Sequence, residues 1–189
     1  NGDTVREAHT IPGIPDGTPF QVHYITTDDS LRVQVAQRIQ NDLAQCGLQV
    51  HLETIPAEAL FAPGPEGPLF GRRFDIAQFS WRAVADPLCD RFISSQIPDD
   101  VDGARPNVTG FIDDEYDSAC LSALEAWPNS ETFLTAHLEA QRILSERLPV
   151  LPLFQRIKVT LVRDSFVGLA PDPTESSELW NVEYFDLRP

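Results

Sequence analysis

Between Gln21 and Ile55 the hydrophobic positions change their period twice. QVHYITT, Gln21 to Thr27, alternates and is rich in β-favouring residues, which predicts a strand. DDS then supplies capping side chains, and Val33, Ala36, Ile39, Leu43 and Cys46 fall on one helical stripe. Gly47 follows, where a residue that tolerates positive φ ends a helix. LQVHLETI, Leu48 to Ile55, returns to the strand pattern. A strand, a helix and a strand in this order predict two parallel strands joined by a right-handed crossover.

The pattern then loosens. PAEAL, with Pro56 in its first turn, predicts a short helix, and the Pro- and Gly-rich APGPEGPLFGRR predicts a loop. Phe74 to Trp81 reads as a third strand, followed by Asp-Pro and a helix around Leu88 to Ser95. IPDDVDGARP reads as another loop. Two helices follow, Asp114 to Ala126 with Tyr116, Ala119, Cys120, Ala123 and Leu124 on its stripe, and Ser130 to Leu148, capped by Ser130 and stopped by Pro149. VLPLFQRIKVTLV reads as extended chain, and Val167 to Leu169 and Leu179 to Leu187 as strands of the tail. No repeat is visible, and the class is α/β.

Composition removes several functions. A length of 189 residues supports one domain with a proper core, and 42% hydrophobic residues argue against disorder throughout. The net charge of −15 and a single lysine, Lys158, exclude a nucleic-acid partner, because binding there needs clustered cations. The same charge repels an anionic membrane face. No run of ~18 apolar residues exists to span a bilayer. NGDTVREAHTIPG has neither a basic nor an apolar leader region, and so abrupt a polar start is what a processed protein or an excised piece would show. Cys46, Cys89 and Cys120 form no CxxC pair and allow at most one internal bridge, which leaves the compartment open.

Catalytic patterns are missing. No nucleophile elbow, dinucleotide fingerprint, phosphate loop or HExxH is present. His9, His23, His51 and His137 are scattered; His23 and His51 on neighbouring strands would suit a metal, but fit strand-surface positions better. The pairs Asp99–Asp100 and Asp113–Asp114 read as solvated loop and helix-start carboxylates, and Cys89 has no base beside it in the sequence. The expectation is a protein that is not an enzyme and holds no metal and no cofactor.

Four segments in order carry a resemblance. VAQRIQNDLAQCGLQVHLETI, FDIAQFSWRAVADP, NVTGFIDDEYDSAC and AQRILSERLPVLPLF resemble successive signatures of the distal lobe of extracellular solute-binding proteins of family 5. These are the dipeptide, oligopeptide and nickel receptors of ABC importers. The resemblance covers roughly Phe20 to Leu169. It implies a type II periplasmic-binding-protein-like lobe, a mixed sheet flanked by helices, and an extracytoplasmic, lipid-tethered parent more than twice this length. Residues 1–19 would then be a lead-in, 20–162 the ligand-binding lobe, and 163–189 a tail returning toward a missing first lobe. Trp180, Val182, Tyr184 and Phe185 of that tail would lack their cover, inviting a second copy of the fragment to pair there. The implied partners are a peptide or other small solute and the permease subunits, with membrane contact only through a lipid anchor absent from this chain. The alternative is an enzyme or a protein-interaction module built on the same fold.

The resemblance also implies a ligand set. Open α/β sheets bind at the carboxyl ends of their strands, and Trp81 stands at such an end. Its indole offers a broad apolar face and Arg82 a fork for a carboxylate. Peptide-binding members carry an aspartate three residues after this Trp, against the ligand ammonium; here the position is Val84. Asp86 stands five after the Trp, one short of the usual place, and suits a helix cap. An ammonium buried without a carboxylate is costly, so a free peptide N-terminus is a poor ligand. Asn107 completes the expected contacts. An extracytoplasmic compartment permits a Cys89–Cys120 bridge, the alternative being three buried thiols; Cys46 would be left unpaired.

Overall fold

The computed structural model describes residues 5–81, 87–155, 159–172, 175 and 177–188. By internal contacts these fall into two units, Asn1–Ser80 with Arg91–Asp117, and Trp81–Asp90 with Ser118–Pro189.

The first unit is built on a parallel sheet in the order β2-β1-β3, from β1 (Gln21–Thr27), β2 (Gln49–Ile55) and β3 (Ile76–Gln78). The strand–helix–strand reading of 21–55 holds. β1 pairs in register with β2 from Gln21↔Gln49 to Thr27↔Ile55, and α1 (Ser30–Gln45) connects them. Asp29 caps α1 by accepting from the Arg32 backbone N–H at 3.2 Å, and Gly47 closes it at φ 83°. β1 lies in the middle, which explains why Tyr24, Ile25, Thr26 and Thr27 are all buried instead of alternating. The two threonines are tolerated there through paired hydroxyls; that of Thr26 donates to the Gln78 carbonyl at 3.0 Å. Ile25, Ile55, Leu60, Leu69 and Val108 form the core beneath, ringed by Phe61, Phe70, Phe74 and Phe79.

Tyr24 carries a pH prediction. Its phenol is 1% exposed, donates to Gln78 Oε1 at 2.9 Å, and is pushed up to about 12 by burial. An unfolded tyrosine ionises near pH ~10. Between those values the unfolded chain releases the proton while the folded chain keeps it, so stability is intact below pH ~10 and falls as pH rises toward ~12, by on the order of 2 kcal/mol. Urea unfolding at pH ~9 and ~11.5 reads this. The Tyr24→Phe variant should lose less stability across the same interval; an equal loss would place the alkaline sensitivity elsewhere.

Several sequence expectations need correction. The third strand is shorter than Phe74 to Trp81, spanning only Ile76–Gln78. The helix expected at Leu88 to Ser95 is two single 3₁₀ turns, Cys89–Phe92 and Ser94–Gln96, broken at Ile93, whose backbone is extended. The carbonyls of Phe92 and Ile93 bond the Asn107 side chain and are thereby withdrawn from any helical ladder. Cys46 is exposed, because it sits at the C-cap where α1 stops and not inside the stripe. The loop after Gln96 is ordered by Asp99, which accepts from the Asp102 and Val101 N–H groups; those bonds and Arg105 hold its carboxyl below the usual range.

A short helix, α2 (Ala57–Leu60), follows Pro56 as expected. α3 (Asp114–Glu125) begins in the first unit and runs into the second, with Tyr116, Cys120 and Ala123 buried, while Leu124 of the expected stripe is exposed. α4 (Glu131–Arg147) is capped by Ser130, whose hydroxyl accepts from Phe133 N–H at 3.1 Å, and it buries His137, Ala140 and Ile143. Parallel and antiparallel pairing occur in separate sheets among the described residues. The antiparallel ribbon joins β4 (Phe166–Val167) to β5 (Asp186–Leu187). The Phe166 and Phe185 rings meet edge to face at 5.0 Å. Gly168, at φ 90°, lies where any Cβ would strike the Tyr184 carbonyl, so no other residue fits. Trp180, Val182 and Tyr184 are exposed as expected of the tail, whereas Phe185 is half-buried against Phe166.

Candidate functional site

All three strands of the first unit run the same way, so Thr27, Ile55 and Gln78 finish at one edge. The chain turns away from that edge through hydrogen bonds that fix it: Asp28 N–H donates to the Ile55 carbonyl at 3.2 Å. From the first turn of α1, Arg32 reaches back over it. Its Nη1 donates to Thr27 Oγ1 at 3.0 Å and its Nη2 to Ser80 Oγ at 2.7 Å. A cation is thus clamped across β1 and the end of β3 by neutral groups.

The residues expected to bind ligand fare differently. Trp81, directly after Ser80, is half-buried and not sealed inside. Arg82, Val84 and Asp86 lie outside the described residues. Asn107 is fully buried, and its side chain is engaged within the first unit. Its Nδ2 lies 2.9–3.0 Å from the carbonyls of Phe92, Ile93 and Phe111, and its Oδ1 accepts from Thr109 Oγ1 and Phe111 N–H. This asparagine orders the loop that holds it. Nearby, Asp117 accepts from the Ser94 N–H at 3.0 Å and from its hydroxyl, tying the start of α3 to the same loop.

Other chemistry is sparse. His23 and His51 are register neighbours as the strand order implied, but His23 Nε2 meets Glu53 at 2.8 Å, and no group of three metal-ligating side chains occurs among the described residues. Cys89 is bonded to Cys120 as a disulfide with Cα atoms 5.6 Å apart, and Cys46 is the free thiol. A thiol in a disulfide is no nucleophile. No described helix is long and apolar enough to cross a membrane.

No family model matches the chain. It is 28% identical over 142 residues to the peptide transport periplasmic protein SapA of Salmonella typhimurium, covering 75% of this chain and 24% of that one. The chain thus spans about a quarter of the curated relative it matches. Its fold superposes on the oligopeptide-binding protein of Thermus thermophilus, solved with a pentapeptide, at a TM-score of 0.73 and 22% identity, covering 89% of this chain and 29% of that one. It also superposes on AppA of Bacillus subtilis, solved with a nonapeptide, at 0.70 and 18%, covering 97% and 35%. The relatives it matches are named as peptide transport or ABC transporter periplasmic proteins, and the solved neighbours as oligopeptide- or tripeptide-binding proteins.

The resemblance drew notice to the Trp81 segment and passed over Arg32. The signal for Arg32 was in the sequence all the same. An Asp29 cap followed three residues later by an arginine puts that side chain over the first turn of α1, above a strand that ends in two threonines. The family-5 resemblance also suggested a compartment that permits a Cys89–Cys120 bridge, with three free thiols as the alternative, and the disulfide is there.

Proposed function

We propose that the chain is the substrate-binding lobe, residues 20–162, of an extracytoplasmic receptor that captures a peptide or other small solute and delivers it to an ABC permease. The ligand would lie between this lobe and one outside the chain, with closure about a hinge as the working motion. Trp81 is its apolar contact, with Arg82, Val84 and Asp86, which follow it in sequence, as further contacts, and the tail, 163–189, returns toward the remainder of the polypeptide. The observation that carries this reading is the agreement of sequence and fold on proteins named for peptide transport and oligopeptide binding. The Cys89–Cys120 disulfide supports an oxidising compartment. The relatives are transport and binding proteins, which supports a role without catalysis.

The test uses the full-length protein and a thermal-shift screen of mixed short peptides, sugars and metal ions. A ligand that binds only the folded state raises the midpoint, by several degrees when it is in large excess over Kd. At least one class is expected to do so, and Trp81→Ala is expected to weaken that ligand about 10- to 100-fold. No shift from any class would overturn the proposal.

A further inference from the structure

Helix α4, in the second unit, has three faces. His137, Ala140 and Ile143 are buried and form the inward one. Glu139, Arg142 and Glu146 form a charged one, where Arg142 meets the two glutamates at 2.6 and 2.7 Å. The third is apolar and uncovered. Leu134, Leu138 and Leu148 lie on it at 52, 65 and 60% exposure, in line with the exposed Gln141 and Ser145. Steps of four, three, four and three positions separate these residues, the spacing at which one helix receives another. Single leucines scattered over a surface are ordinary, but three on one line mark a contact face. All but Leu134 also line an open groove of about 510 Å³, which Val150 and Pro152 complete.

The stripe matches itself. Laid antiparallel with Leu138 opposite Leu148 of a second copy, it brings Gln141 opposite Ser145 and Leu134 opposite Pro152, so apolar meets apolar and polar meets polar in every layer. The Ser145 hydroxyl donates to the Arg142 carbonyl at 2.7 Å, which leaves its oxygen to accept from a glutamine amide. Sliding by one layer sets Leu138 against Gln141 and Leu134 against Ser145, where polar groups face methyls and the register is lost. Antiparallel helix dipoles favour the pairing, and no charged side chain lies on the stripe to be stripped of water. We propose that α4 is a homotypic docking face, through which two copies of the protein pair antiparallel in the Leu138–Leu148 register. From Leu134 to Leu148 the stripe is about 21 Å long. That is small for a specific interface, so the pair is weak, with Kd on the order of 10–100 µM. The pairing does not depend on the solute-binding reading.

The experiment uses the full-length protein in a Cys46→Ser background, which alone should not cross-link, and a short bis-maleimide. Gln141 lies near the two-fold axis of the pair, so Gln141→Cys is expected to give a covalent dimer at about 100 µM protein. Thr132→Cys, exposed on another face of α4, should give none. Leu134 and its copy would stand about 20 Å or more apart, so Leu134→Cys should give none either. Sedimentation velocity reads the association without a cross-linker. Wild type should show a concentration-dependent dimer, and Leu138→Glu should weaken it at least about tenfold. Because Leu138 is exposed in the single copy, that variant should keep its melting midpoint. Ready linking through Leu134→Cys would overturn the antiparallel arrangement. A dimer untouched by Leu138→Glu would place the contact elsewhere and overturn the proposal. So would a monomer at every concentration with Gln141→Cys unlinked, and a lowered midpoint of Leu138→Glu in that case would show the stripe to be covered within its own polypeptide.

Discussion

Replacing Cys89 and Cys120 together by alanine is expected to lower the unfolding free energy by about 3–4 kcal/mol. The bridge closes a loop of 31 residues, and in the chain-entropy model a loop of that size restricts the unfolded chain by about that much. Both ends are buried, Cys120 completely, so the double variant also loses packing around the sulfurs. Urea unfolding of wild type and variant measures the difference, and wild type under strong reductant should approach the variant. Cys46 provides the control. It is exposed and free, and Cys46→Ser should fall within about 0.5 kcal/mol of wild type. Thiol titration of unfolded, unreduced protein should find one reactive sulfur. Three would remove the disulfide, and with it the main physical support for an oxidising compartment.

What the sequence made legible follows the range of the forces involved. β1, α1 and β2 were readable because period, cap and stop all agree within one short stretch: Asp29 caps, Gly47 terminates, and the strands on either side favour β structure. α3 and α4 were readable for the same reason, down to the Ser130 cap. The segment 88–96 was not, because its conformation is set from a distance. Cys89, Asp90, Arg91 and Phe92 have ordinary helical tolerance, and nothing local reveals that Asn107 will draw off two of the carbonyls. Burial of α1 was misjudged in the same way. The stripe was visible, but only Ala36 is fully buried, since the depth of a stripe depends on what packs against it. Arg32 illustrates a third case. Its position on the helix was plain, whereas the two hydroxyls that hold it come from Thr27 and Ser80, separated by 53 positions in the chain.

Asn107 gives the other large expected effect, and one that separates a structural role from a ligand contact. Its amide nitrogen faces three carbonyls, and its oxygen receives two donors, all within a fully buried pocket. Asn107→Ala leaves those groups without partners and should cost about 2–4 kcal/mol. Asn107→Asp keeps the shape and reverses the chemistry, because an oxygen then confronts the carbonyls of Phe92, Ile93 and Phe111. At neutral pH that variant is expected to be less stable than the alanine one despite its better fit. Burial and carbonyl neighbours would hold the introduced carboxyl protonated to higher pH than an unfolded aspartate. A raised folded-state value means its stability recovers as pH falls, since the protonated acid can donate again. Urea midpoints of both variants near pH ~8 and ~5 therefore should cross or converge at the lower pH. If Asn107 touched ligand instead, Asn107→Ala would weaken binding with little change in the midpoint. The five internal hydrogen bonds argue for the opposite order: stability falls first, and affinity follows only as far as the loop between Phe92 and Phe111 loses its shape.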